Sequence, residues 1–174
     1  DDLYDLVSAI PWGDHIHSTG SLVVDFSGQS TFIRNEQFGA QKVKDSIVDQ
    51  FRSAGLGRPS VNKVSPDVRV AVKLFRNRLK LGIDLSGGSL HKRGYRLSGG
   101  LAPLKENVSA AILTVMGWDD LCRQGACLID PMCGSATLLL EGALIALDRA
   151  PGLDRNDFGF NRWIGHDDKQ WSAI

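Results

Sequence analysis

The chain has 174 residues and an ordinary apolar fraction of 43%, enough for one domain or two small ones. It has no apolar run near the ~20 residues of a membrane span and no signal-peptide pattern. Its three cysteines show no Cys-x-x-Cys spacing, which argues against a disulfide framework or a zinc site and for a reducing cytoplasm. Net charge is zero, yet residues 34–105 hold 15 Lys/Arg against 5 Asp/Glu, and the remainder holds 5 against 15.

Asp2–Ile10 reads as a short helix stopped by Pro11. His15 and His17 alternate without an evident third metal ligand, so no metal site is assigned. Ser21–Phe26 reads as a strand. Asn35 is placed to cap a helix running to about Ser53, with Phe38, Val43, Ile47, Val48, Phe51 and Ala54 as its buried stripe. Arg58–Pro66 is a polar loop. Val68–Phe75 and Leu79–Leu85 alternate apolar and polar residues about a turn at Arg76–Arg78, which predicts an antiparallel hairpin.

Pro103 suits the first turn of a helix to about Met116, with Leu104, Val108, Ala111, Ile112 and Val115 as its apolar positions and Gly117 as its stop. Ala126–Asp130 reads as a strand and Thr137–Arg149 as a helix ended by Pro151-Gly152. Asp154–Gly165 is an irregular, aromatic-rich loop. His166–Ile174 begins another helix. Its acidic start is either a helix N-terminus or a metal cluster, and the first is preferred.

The loop between that last predicted strand and its helix carries the clearest chemistry. Asp130 ends the strand, and Gly134 permits a left-handed turn or a close ligand. Ser135 and Thr137 are able to cap the helix. Amides at a helix start favour anionic ligand groups. The missing Lys and Gly-x-Gly-x-x-Gly spacing argue against a Walker loop and against NAD. A plain capped strand-to-helix turn is the competing reading. Cys133 is read as packing a cofactor rather than as a nucleophile.

The basic middle predicts polyanion contact through Arg34, Lys42, Lys44 and Arg52 around the long helix, and through Lys92, Arg93, Tyr95 and Arg96 beyond the hairpin. Cations position phosphates, and a tyrosine stacks on an unpaired base or packs internally.

Together, Asp130-Pro-Met-Cys-Gly-Ser-Ala-Thr137, Ala102-Pro-Leu-Lys-Glu106 and Leu90-His-Lys-Arg-Gly-Tyr-Arg96 resemble the THUMP-containing bacterial RNA guanine-N2 methyltransferases. The likeness extends through 31–45, Asp148-Arg-Ala-Pro-Gly152 and Gly165-His-Asp-Asp168, and so over nearly the whole chain.

The resemblance implies an α/β protein. An N-terminally incomplete THUMP-type RNA-binding domain would fill 1–88 and a linker 89–102. The first part of a class I, Rossmann-like S-adenosylmethionine-dependent methyltransferase domain would fill 103–174. It implies methylation of a guanine N2 amine in large-subunit ribosomal RNA, with S-adenosylmethionine near Pro103, Lys105, Glu106, Asp130, Pro131, Cys133, Gly134, Ser135 and Thr137. A non-catalytic RNA-binding module and an adenine-N6 DNA methyltransferase are the alternatives.

Two departures from the family pattern bear on this. Ala136 stands where the family usually has Gly, which matters if the backbone there is left-handed. The family's catalytic Asn/Asp-Pro-Pro-aromatic loop is absent, since no two of the six prolines are adjacent. No catalytic residue is therefore assigned. The chain is expected to be an inactive piece of a longer protein, able to self-associate through the lone strand 126–130.

Overall fold

The alternating residues of 68–75 set the centre of the architecture. In the computed structural model, which describes residues 2–96 and 103–173, they form strand β3 (Val68–Phe75). Val68, Val70, Val72 and Leu74 are buried on one face, each worth roughly 1.5–3 kcal/mol. Two units are distinguished, Asp1–Gly87 with Asp157–Ile174, and Gly88–Asn156. Residues 157–173 are grouped with the first unit; residues 97–102 of the expected linker lie outside the described residues.

The first unit is a four-stranded sheet in the order β2 (Ser60–Val61), β1 (Ser21–Ser27), β3, β4 (Arg78–Ile83). β1 runs parallel to β2 and β3, and β3 pairs antiparallel with β4. The strands and hairpin predicted within this unit are present, the second hairpin strand running from Arg78 to Ile83 rather than from Leu79 to Leu85. The two-residue β2, inside the predicted polar loop, is too short for a periodic signal. Arg76 (φ +47°) and Asn77 (φ +58°) make the hairpin turn in left-handed geometry, which matches the twist of the strands.

Helices α1 (Asp2–Ser8) and α2 (Glu36–Ser53) cover the apolar face. Asn35 caps α2 as expected, its Oδ1 accepting from the Gln37 amide at 2.8 Å; such a cap contributes about 1 kcal/mol. Val43, Ile47, Val48 and Phe51 are buried, whereas Phe38 and Ala54 are exposed. The inward place near the start of α2 belongs to Gly39, where a Cβ would lie 2.8 Å from the Phe26 ring. Gln50 fastens the α1 corner, donating Nε2–H to the Ser8 and Ile10 carbonyls and accepting from the Trp12 amide.

The returning segment 157–173 joins this unit through Trp163, whose Nε1–H donates to His15 Nδ1 at 3.3 Å. His15 is therefore engaged in packing. The segment ends in α6 (Asp168–Trp171), capped by Asp167.

The second unit holds α3 (Glu106–Val115), α4 (Trp118–Arg123) and α5 (Thr137–Ala146). α3 starts three residues after Pro103 and stops at Gly117, which is left-handed as its sequence suggests. Its predicted stripe is inverted. Val108, Ile112 and Val115 are exposed, while Glu106, Ser109 and Leu113 are buried. Ala126–Asp130 forms no strand among the described residues, because no described segment of the unit offers it a ladder of hydrogen-bond partners. α4 went unpredicted, being a six-residue helix with three charged residues.

Candidate functional site

The loop 130–136 and the start of α5 face solvent at Pro131, Met132, Cys133, Gly134 and Ser135. Asp130 Oδ1 accepts from the Met132 amide at 3.0 Å, so the acid folds the loop from its near end. The Ala136 amide donates to the Cys133 carbonyl at 2.7 Å, and Ala136 takes φ +57°, ψ +23°. Gly134 is left-handed as well, with open space where a Cβ would point. No side chain caps α5. Ser135 Oγ instead meets Thr137 Oγ1 at 3.1 Å. A ten-residue helix thus begins at an exposed turn with its first amides uncapped by any side chain, the arrangement that accepts an anionic group.

Beneath the loop lies a polar cluster. Arg96 donates from Nη2 to the Leu104 carbonyl (2.7 Å) and to Thr137 Oγ1 (2.9 Å), and its Nε lies 3.4 Å from Glu106 Oε1. Glu141, 2% exposed, accepts from the Tyr95 hydroxyl at 2.8 Å and has Arg93 Nε 3.5 Å away. Burial, followed by the hydrogen bond to Glu141 and its charge, holds the Tyr95 hydroxyl well above the ordinary tyrosine range. Ser109 Oγ donates to the Thr137 carbonyl. These contacts tie 93–96 to the starts of α3 and α5 and so fix where the loop stands. Breaking such a buried pair from one side is costly, because the other charge stays uncompensated.

The expected cofactor residues therefore divide. Pro131, Cys133, Gly134 and Ser135 are on the exposed loop, with Asp130 folding it. Pro103 and Lys105 are exposed before α3, and Ala102 of their motif lies outside the described residues. Glu106 and Thr137 are buried in the cluster.

The expected RNA residues divide too. Arg34, Arg52 and Lys92 are exposed, Arg52 pairing with Asp49 at 3.2 Å. Lys44 pairs with Asp45, and Lys42 lies over the Phe38 ring. Arg93, Tyr95 and Arg96 are turned inward instead, because Glu141 and Glu106 need partners there. Sequence reading missed Glu141. The signal was available, as Glu141 is the one charged residue in the apolar run Thr137–Ala146, and a buried acid requires a partner.

Residues 1–84 match the THUMP domain family, and residues 93–172 match the family described as RMKL-like, methyltransferase domain. All 174 residues align with the ribosomal RNA large subunit methyltransferase K/L of Cellvibrio japonicus at 54% identity and of Marinobacter nauticus at 53%. The chain spans 23% and 24% of those two proteins. Among solved structures, it is similar to a Listeria monocytogenes protein described as a predicted N6-adenine-specific DNA methylase (30% identity, TM-score 0.82). That match takes in 99% of this chain and 44% of the other. It is likewise similar to a protein crystallised with SAH and assigned as a methyltransferase (28% identity, TM-score 0.83), over 99% and 44% of the two chains.

Proposed function

We propose, from the match of residues 1–84 to the THUMP domain family and of residues 93–172 to the RMKL-like methyltransferase domain family, that the whole protein methylates large-subunit ribosomal RNA in the cytoplasm. The acceptor is the N2 amine of a guanine, and the donor is S-adenosylmethionine, which supplies a sulfonium methyl. The first unit docks the RNA. The second contributes part of the cofactor site through Asp130, Pro131, Cys133, Gly134, Ser135 and Thr137, with Pro103, Lys105 and Glu106 beside it. Arg34, Lys42, Lys44, Arg52 and Lys92 are the phosphate-contacting candidates of this reading.

The observation that carries it is the exposed turn before α5, where small residues stand over amides that no side chain caps. Such amides suit the carboxylate end of an amino-acid-bearing cofactor. Arg96 and Glu141 are positioning residues that act by holding Thr137 and 93–96 in place. The Asn/Asp-Pro-Pro-aromatic segment that would grip the target amine is absent from the 174 residues, so the chain alone lacks the preorganised polar contacts on which the rate depends.

Calorimetry with S-adenosylmethionine tests the cofactor assignment. Weak binding by the chain, abolished by Gly134→Val, is expected; unchanged heat in that variant refutes the placement. Methylation of RNA by the chain alone would refute the assignment of the amine-gripping segment elsewhere. The description of the Listeria neighbour favours a second reading, adenine-N6 methylation of DNA. Mass spectrometry of nucleosides treated with the full-length protein decides between N2-methylguanine and N6-methyladenine.

A further inference from the structure

The face of the sheet turned away from the two helices is laid out by its register. One row reads Asp25, Ala71, Gly82; the next reads Ser27, Lys73, Lys80; the last pairs Phe75 with Arg78. All eight of these residues are exposed, Phe75 at 61%. Ala71 and Gly82 leave a shallow hollow of about 470 Å³ between Asp25 and the two lysines. At the far edge Arg69 pairs with Asp25. Toward the hairpin the balance changes. Lys73, Arg78 and Lys80 have no acidic partner among the described residues, and the Arg76 guanidinium lies 5.1 Å from the centre of the Phe75 ring.

Like charges set directly opposite one another across two strands weaken the pairing. Lys73 and Lys80 stand in that relation, on a sheet whose other face already supplies the core. Their charges oppose that pairing, whereas an anion lying across the strands relieves the repulsion. An exposed aromatic ring beside the same cations adds a stacking surface for an unpaired base.

We propose that this open face is a docking track for single-stranded RNA, in which Lys73 and Lys80 straddle the phosphates, Arg76 and Arg78 extend the cationic path and Phe75 stacks on a base. The assignment rests on the RNA reading above, and it moves the contact from the α2 surface to the sheet.

The test is fluorescence anisotropy of the full chain with a labelled 20-nucleotide single-stranded RNA across a salt series. Replacing Lys73 and Lys80 together by Gln is expected to reduce the salt slope by about 1.4, that is about 25-fold in affinity at 0.1 M salt if affinities converge at 1 M. Replacing both by Arg should retain binding. The thermal midpoint of the Gln variant should match or exceed that of the wild type, since repulsion is removed. RNA binding by the wild type with an unchanged slope in the Gln variant overturns this placement and leaves the RNA reading standing. No RNA binding by the wild type overturns both. Competition by a poly-glutamate peptide as effective as unlabelled RNA overturns the choice of RNA as occupant.

Discussion

Ala136→Gly tests the link between backbone geometry and the proposed cofactor loop. Ala136 is left-handed at φ +57°, ψ +23°, where a Cβ costs an L-residue about 1–2 kcal/mol. Glycine removes that cost but loses about 0.5–1 kcal/mol through the greater freedom of the unfolded chain. The net expectation is stabilisation of the α5 start by about 0.5–1 kcal/mol. The Leu140 amide, which donates to the Ala136 carbonyl at 2.9 Å, reports it directly. Its native-state hydrogen exchange should slow by about two- to fivefold, at one decade per 1.4 kcal/mol. Ala136→Val provides the opposite arm, because a β-branched residue is least tolerated at positive φ. The expected order of protection is Gly above Ala above Val. Exchange that is unchanged in Gly and slower in Val would refute the assignment of strain to this residue.

Four further outcomes follow from the same geometry. A Cβ at Gly142 would lie 2.5 Å from Leu128 Cδ2 and 3.4 Å from Trp118 Nε1, so overpacking of about 1–3 kcal/mol, offset by the ~0.5–1 kcal/mol that alanine gains over glycine inside a helix, should leave Gly142→Ala destabilising by about 0.5–2 kcal/mol in denaturant titration; a stabilised variant would mean that this contact is loose. The Tyr95 hydroxyl titrates above its ordinary range in the folded state. Its stabilising contribution is complete below about pH 10 and is lost as pH rises beyond that value, so Tyr95→Phe should flatten the alkaline decline in stability. Burial alone would raise the Asp84 carboxyl, but hydrogen bonds from Ser86 Oγ and from the Ser86 and Gly87 amides, with the charge of Arg69, hold it below its ordinary value. That contribution is present above about pH 4 and lost as pH falls through the lowered folded value, and Asp84→Asn should remove this acid dependence. Finally, since 126–130 forms no strand edge, the exposed apolar residues Val108, Ile112 and Val115 should be what drives concentration-dependent self-association; light scattering of a monodisperse monomer at all concentrations would refute it.

Much of the first unit is determined by its own sequence. Strict alternation over Val68–Phe75, 3.6-residue spacing from Val43 to Phe51 and the cap at Asn35 each commit a segment, and one sheet with two helices satisfies all three. The turn from Asp130 to Thr137 was legible as well, since small residues between an acid and an apolar run have few other uses. Burial in the second unit was not. The apolar positions of α3 predicted a buried stripe, yet Arg96 and Ser109 draw Glu106 and Thr137 inward and leave that stripe exposed. Strand formation at 126–130 depends on hydrogen-bond partners that no local pattern supplies. Periodicity reports which face of an element is apolar. Only the tertiary arrangement decides what that face meets, and so whether Arg93, Tyr95 and Arg96 reach toward a ligand or neutralise acids within the fold.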